Sequence, residues 1–220
     1  MTKRLVIFDM DGTLVDSGPS LAVAVNAMLG EFGRAPLPFS EVRVMIGDGT
    51  AKLAERAIAA RPGPAVSNEA AHACLLRHYD DALVGTKLYP GVRETLTRLR
   101  NAGQTLALST NKPEAPLRKI LAALDLAPYF DRLLGGDSES WRKPDPRMVT
   151  TLLSAFDMSA DEAILVGDSE VDAATAVAAG VDFALMTYGY HRGPVAAIPA
   201  RFRLDRLSDL PGYVLDRPCP

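Results

Sequence analysis

Leu5-Val6-Ile7-Phe8 runs directly into Asp9-Met10-Asp11-Gly12-Thr13-Leu14-Val15-Asp16-Ser17. An apolar stretch of strand character ends on two carboxylates spaced by one residue, with a glycine and a threonine immediately after. Residues 4–8 are predicted to form a buried strand. Asp9 and Asp11 then fall at its carboxyl end, where open α/β sheets bind ligands. Two acids held this close repel each other unless a proton or a cation lies between them. A hard divalent cation such as Mg2+ suits that position because it prefers oxygen ligands.

Outward from this stretch, the chain alternates between helical and strand periodicity. Leu21, Val25, Met28, Leu29 and Phe32 recur at helical spacing, with Pro19 suited to the first turn and Gly33 to the end. A short piece follows at 40–45, then the loop Gly47-Asp48-Gly49. A second helix carries Leu53, Ala54, Ala57 and Ile58, and Pro62-Gly63-Pro64 breaks it. Ser67 is the expected N-cap of a third helix, whose apolar face holds Ala71, Cys74, Leu75 and Leu83. No strand is expected between about 16 and 85. Beyond that, helices are predicted from Pro90-Gly91 to Gly103 and at 114–124, 146–156 and 170–179. Strands are predicted at 105–109, 132–134, 163–166 and 183–186. Strands alternating with helices imply parallel pairing and right-handed crossovers. The expected fold class is α/β: a doubly wound parallel sheet with a small all-helical segment inserted after the first strand. The expected division is a core of 1–15 and 90–220 and an inserted unit of 16–89, with a hinge where the chain crosses between them near Asp16 and Tyr89.

Bulk properties narrow the function. With 24 basic and 27 acidic residues and a formal net charge of -3, the chain lacks the basic balance expected of a nucleic-acid binder. No apolar run approaches the length of a membrane span, and the apolar start stops at an acid, which makes a poor signal peptide. Three histidines, His72, His78 and His191, do not make a zinc site by themselves; His72 and His78 read as helix-surface residues. Cys74 reads as a small core residue and Cys219 as part of a loose terminus. Without an expected disulfide the cytoplasm is the default compartment.

Four loops, each following a predicted strand, carry residues suited to phosphate or metal. They hold Asp9 and Asp11; Ser109-Thr110-Asn111-Lys112; Lys143-Pro144-Asp145-Pro146; and Gly167-Asp168-Ser169-Glu170-Val171-Asp172. In a parallel sheet all four converge on one edge. Each has a plainer reading: Asp9 and Asp11 read as loop acids that satisfy backbone N–H groups. Thr110-Asn111 also makes a turn with a cap, Lys143 alone reads as a solvated lysine, and Ser169 with Asp172 forms a capping pair at a helix start. Their order and placement, taken together, carry the functional reading.

This set of motifs resembles the phosphatase branch of the haloacid dehalogenase superfamily. The Asp-x-Asp-Gly-Thr motif corresponds to Asp9 through Thr13, the Ser/Thr motif to Thr110, the lysine motif to Lys143, and Gly-Asp-Ser-x-x-Asp to Gly167 through Asp172. The resemblance implies an enzyme in which Asp9 attacks phosphorus to give an aspartyl phosphate. It also implies that Asp11 first protonates the leaving oxygen and then takes a proton from water. Mg2+ is expected on Asp9, the main-chain carbonyl of Asp11 and Asp168. Thr110 and Lys143 are expected to hold the phosphoryl oxygens, with Gly12 and Asn111 as further phosphate contacts. Ser169 and Asp172 stand behind them, Asp172 orienting Lys143 or a metal-bound water.

The inserted helices resemble the small helical cap of this superfamily. Met45-Ile46-Gly47-Asp48-Gly49, Ser109 through Pro113 and Tyr188-Gly189-Tyr190 resemble the corresponding stretches of bacterial phosphoglycolate phosphatases. The resemblance implies that Gly47, Asp48 and Gly49 help choose the substrate, a small phosphorylated metabolite with 2-phosphoglycolate foremost. Other expectations are a phosphatase for a sugar phosphate, a nucleotide or pyrophosphate, a phosphosugar mutase, or a catalytically silent phosphate-binding module. A mutase needs a second phosphate site, and residues 34–61 offer no clear basic pair for one. Arg43, Arg56 and Arg192 are each either a carboxylate ligand or an ordinary solvated arginine.

Overall fold

A computed structural model describes residues 3–82 and 85–215, with only the backbone described at 80–82. Leu83 and Cys219 lie outside the described residues. The fold is α/β. Six parallel strands lie in the order β5-β4-β1-β6-β7-β8: β1 (Leu5–Phe8), β4 (Thr105–Ser109), β5 (Arg132–Leu134), β6 (Ala163–Gly167), β7 (Asp182–Met186) and β8 (Phe202–Leu204). Strand β1 lies between β4 and β6, in register Leu5 to Thr105 on one side and Leu5 to Ala163 on the other. The chain builds outward from β1 in one direction and then in the other. The carboxyl end of β1 is therefore the switch point at which such sheets bind ligands.

The alternation along β1 explains its central place. Val6 and Phe8 enter the hydrophobic cluster on one face of the sheet, and Leu5 and Ile7 enter the cluster on the other. All four are fully buried, so β1 carries no polar face and has to be covered on both sides. Burial of Phe8 alone contributes about 2–3 kcal/mol. Helices α5 (Val92–Asn101), α6 (Glu114–Ala123), α7 (Arg147–Ala155) and α8 (Glu170–Ala179) supply the cover.

Between β1 and β4 lie α1 (Gly18–Glu31), α2 (Phe39–Arg43), α3 (Thr50–Ala59) and α4 (Asn68–Ala82). They have a hydrophobic cluster of their own, built on Leu21, Val25, Met28, Leu53 and Leu75, with Tyr190 reaching in from the loop after β7. Ser67 accepts from Ala70 N at 3.2 Å, as an N-cap does. Cys74 is fully buried. Neither His72 nor His78 is simply solvated: His72 bonds the Thr50 hydroxyl at 2.9 Å, and His78 bonds Glu31. Strand periodicity did not reveal the two-residue antiparallel ribbon of β2 (Val15–Asp16) and β3 (Lys87–Leu88), which ties the two crossings of the insertion together. It also did not reveal β8 or the short α9 (Pro211–Val214). No helix among the described residues is long and apolar enough to cross a membrane.

Candidate active site

Asp9 is the first residue beyond β1, and its amide donates to Val166 O at 2.8 Å. That bond fixes the backbone between β1 and β6. The Asp9 carboxylate is buried and lies close to those of Asp168 and Asp172, with ligand atoms within 4.8 Å of one another. Asp168 is the first residue beyond β6, and Asp172 lies in the first turn of α8. Ser169 caps α8, donating its hydroxyl to Asp172 at 2.6 Å while its oxygen accepts from Asp172 N at 3.3 Å. The capping reading and the functional reading of this loop are therefore both realised by one geometry.

Lys143 is not a solvated lysine. Its ammonium is buried and donates to Asp9 at 2.7 Å and to Asp172 at 2.5 Å. Burial opposes its charge, but Asp172 and Asp9 outweigh burial and hold its pKa above the ordinary lysine value. Asp168 is met by the Thr13 hydroxyl at 3.0 Å and by the Tyr190 amide, neither of them a cation. Burial, then Asp172 and Asp9, push the Asp168 carboxyl well above the usual range. Asp9 is pushed up to about 6, chiefly by burial and further by Asp172 and Asp11, with Lys143 opposing. Three buried carboxylates thus face one ammonium, a donor set that fits one further hard cation on oxygen ligands.

Asp11 faces elsewhere. Lys112 donates to its two oxygens at 3.0 and 3.1 Å, and Ser17 donates at 2.5 Å. The repulsion expected between Asp9 and Asp11 is met here by two lysines, Lys143 on one acid and Lys112 on the other. Burial opposes the charge of Lys112 as well, and Asp11 and then Tyr79 outweigh it, so its pKa is raised. Neither Lys112, named in the sequence only within its loop, nor Tyr79 was singled out by the sequence. No local spacing links them, because α4 brings Tyr79 to Lys112 through the tertiary fold.

Two expected phosphate contacts take a different form. The Gly12 amide donates to Val15 O at 2.9 Å and is thereby committed to the turn. Gly12 contributes its missing side chain instead: at φ +87°, a Cβ would sit 2.2 Å from an Asp168 carboxylate oxygen. The Asn111 side-chain amide donates to Gly47 O at 3.0 Å and to Lys143 O at 2.9 Å. It therefore ties together three loops rather than offering donors to phosphate. Thr110 is buried and lines the cavity above Asp9.

That cavity, about 40 Å3, lies between the sheet edge and the inserted helices. Asp9, Asp11, Thr110 and Lys112 form one wall, and Leu21, Ile46, Leu53 and Tyr79 face them. Gly47 and Gly49 reach the cavity, while the Asp48 carboxylate pairs with Arg56 at 2.5 Å and with Arg192. Both readings of the three arginines give way to a third. Arg43 donates to Gly189 O, and Arg56 to Met45 O at 2.9 Å. Arg192 donates to Val44 O at 3.0 Å and Ile46 O at 3.1 Å. Arg43 and Arg192, together with Tyr190, which accepts from Gly18 N and donates to Asp16, fasten the inserted helices to the loop after β7, whereas Arg56 bonds only within the insertion, to Met45 O and Asp48.

A family profile described as haloacid dehalogenase-like hydrolase matches residues 6–186. A phosphoglycolate phosphatase of Rhodospirillum rubrum is 43% identical over 214 residues, covering 94% of this chain and 89% of the relative. Phosphoglycolate phosphatase 1 of Pseudomonas aeruginosa is 42% identical, covering 94% and 78%. Among solved structures, a predicted phosphoglycolate phosphatase of Haemophilus somnus superposes with a TM-score of 0.90 at 31% identity, covering 96% of this chain and 97% of that one.

Proposed function

The chain belongs to the haloacid dehalogenase-like hydrolase family and is a phosphoric monoester hydrolase, and on that premise we propose that it hydrolyses 2-phosphoglycolate to glycolate and phosphate, through a phosphoryl group carried on Asp9. One observation carries the mechanism: three buried carboxylates, Asp9, Asp168 and Asp172, converge at the switch point of the sheet with Lys143 between two of them. The names of the relatives support the substrate.

Asp9, the main-chain carbonyl of Asp11 and Asp168 would hold Mg2+. The ion, when bound, offsets the repulsion between a carboxylate and a phosphate dianion. Asp9 attacks phosphorus, and the bond to the leaving oxygen breaks as the bond to Asp9 forms. Asp11 has to enter the first half-reaction protonated; it gives that proton to the leaving oxygen and is reprotonated by the water whose attack releases phosphate. Lys143 neutralises Asp9 and holds a phosphoryl oxygen, Thr110 holds another, and Asp172 fixes the direction of the Lys143 ammonium. Gly12 keeps the space that the Asp168 carboxylate occupies. Residues 16–89 act as a cap on a core of 1–15 and 90–220. They close over the site through Gly47 and Gly49, with Asp48 fastening the closed cap to Arg192.

The test is a panel of phosphorylated metabolites compared by kcat/KM, with Mg2+, with EDTA, and in Asp9→Asn. The expected result is a preference for 2-phosphoglycolate that disappears with EDTA and in the variant. A stronger preference for a sugar phosphate would overturn the substrate. Full activity in Asp9→Asn would overturn the mechanism.

A further inference from the structure

Two ends of the cap reach Asp11, one directly and one through Lys112. Ser17, just before α1, donates to its carboxylate at 2.5 Å. Tyr79, on α4, accepts from Lys112 at 2.7 Å, and the same ammonium donates to both Asp11 oxygens. The Lys112 side chain has no exposed surface, and its ammonium lies 4.9 Å from the centre of the Tyr79 ring. Tyr79 is itself buried in the hydrophobic cluster of the cap, whereas Lys112 follows β4 in the core. The contact between them therefore exists only while α4 sits over the sheet edge.

We propose that Lys112 and Tyr79 are positioning residues for the acid–base step, a chain of contacts through which the seated cap fixes the direction in which Asp11 presents its carboxyl group to the leaving oxygen. The proposal rests on the acid–base role given to Asp11 above. An ammonium within hydrogen-bond distance of both Asp11 oxygens, with the Ser17 hydroxyl on one of them, restrains that group, and a buried ammonium has few directions open to it once it donates one hydrogen to the tyrosine hydroxyl. When the cap lifts, Tyr79 leaves with α4 and the ammonium loses its second anchor. The acid is then correctly aimed only when bulk water is excluded, which is how closure and chemistry are coupled in lidded enzymes.

The readout is dependence on the leaving group. Breaking the phosphorus–oxygen bond of an alkyl ester leaves an alkoxide that needs the Asp11 proton, whereas a nitrophenolate leaves without one. The experiment measures kcat/KM with 2-phosphoglycolate and with 4-nitrophenyl phosphate in the Mg2+-loaded enzyme, for wild type, Asp11→Asn, Lys112→Met and Tyr79→Phe. Tyr79→Phe keeps the ring in the cap core and removes only the hydroxyl, so it serves even if Lys112→Met does not fold. The expected result is a loss on the alkyl ester about ten-fold larger than the loss on the aryl ester in Tyr79→Phe, and larger still in Lys112→Met, in the order expected for general acid catalysis. Equal losses on both esters, or no loss on either, in Tyr79→Phe overturn the proposal while Asp11→Asn keeps its selective loss. If Asp11→Asn loses both esters equally, the acid role of Asp11 falls and the proposal falls with it.

Discussion

Loading the site with Mg2+ should stabilise the protein more at neutral than at acidic pH, by an amount the geometry sets. Asp9 moves from 3.8 to about 6, mostly because it is buried, with Asp172 and Asp11 adding to the rise and Lys143 opposing it. The folded state thus binds a proton that the unfolded chain has already released between these two values. Stability is undiminished by Asp9 below 3.8 and falls as pH rises through the window towards about 6. Above it the full displacement corresponds to about 3 kcal/mol for this one group, and at about pH 5 to roughly half of that. A cation that replaces the proton recovers the difference. At a fixed Mg2+ concentration the gain over EDTA should be larger at about pH 7.5 than at about pH 5 by about 1.5 kcal/mol, with Asp168 displaced in the same direction. For a chain of this size that is about 3–6 °C in Tm. Thermal unfolding with Mg2+ and with EDTA at both pH values measures it, and metal-free Asp9→Asn should lose its share of the acid-side slope. An equal gain at the two pH values, or a larger one under acid, would refute the reasoning.

Gly12→Ala should place a methyl group against the Asp168 carboxylate, 2.2 Å from the nearer oxygen and at positive φ. Activity should fall by about 100-fold or more, and the Mg2+-dependent rise in Tm should disappear, whereas activity with an undiminished metal response would contradict the crowding argument. Arg192→Met removes three bonds between the loop after β7 and the cap. Because about a third of that side chain is exposed, the expected loss is about 1–2 kcal/mol, or five- to thirty-fold in kcat/KM, with little change in global Tm. An unchanged kcat/KM would show that these bonds do not hold the cap.

Much of the core was legible in the sequence because its signals are local. The unbroken apolar run before Asp9 specifies a strand buried on both faces, and the alternation of helices and strands specifies parallel pairing. Ser169 and Asp172, three residues apart, encode their own capping geometry. What was not legible is tertiary. Strands β2 and β3 have two residues each, too short for any periodicity, and β8, no shorter than the predicted β5, has its apolar run interrupted by Arg203. The pairing of Lys112 with Tyr79, and of Arg43, Arg56 and Arg192 with carbonyls or Asp48, depends on where α2 to α4 settle. An arginine's partner cannot be read from its own neighbours in sequence. Gly12 shows the reverse case: the residue was singled out, but its contribution is the space it leaves and not its amide.

Asp9 as the carrier of phosphorus is the central claim, and rapid acid quench tests it most directly. Enzyme loaded with Mg2+ is mixed with 2-phosphoglycolate, quenched within the first turnover, digested and analysed by mass spectrometry. The account predicts a phosphoryl group on the peptide that contains Asp9, on that carboxylate, and none in Asp9→Asn. Turnover without any phosphorylated peptide, or with phosphorus on another side chain, would contradict it.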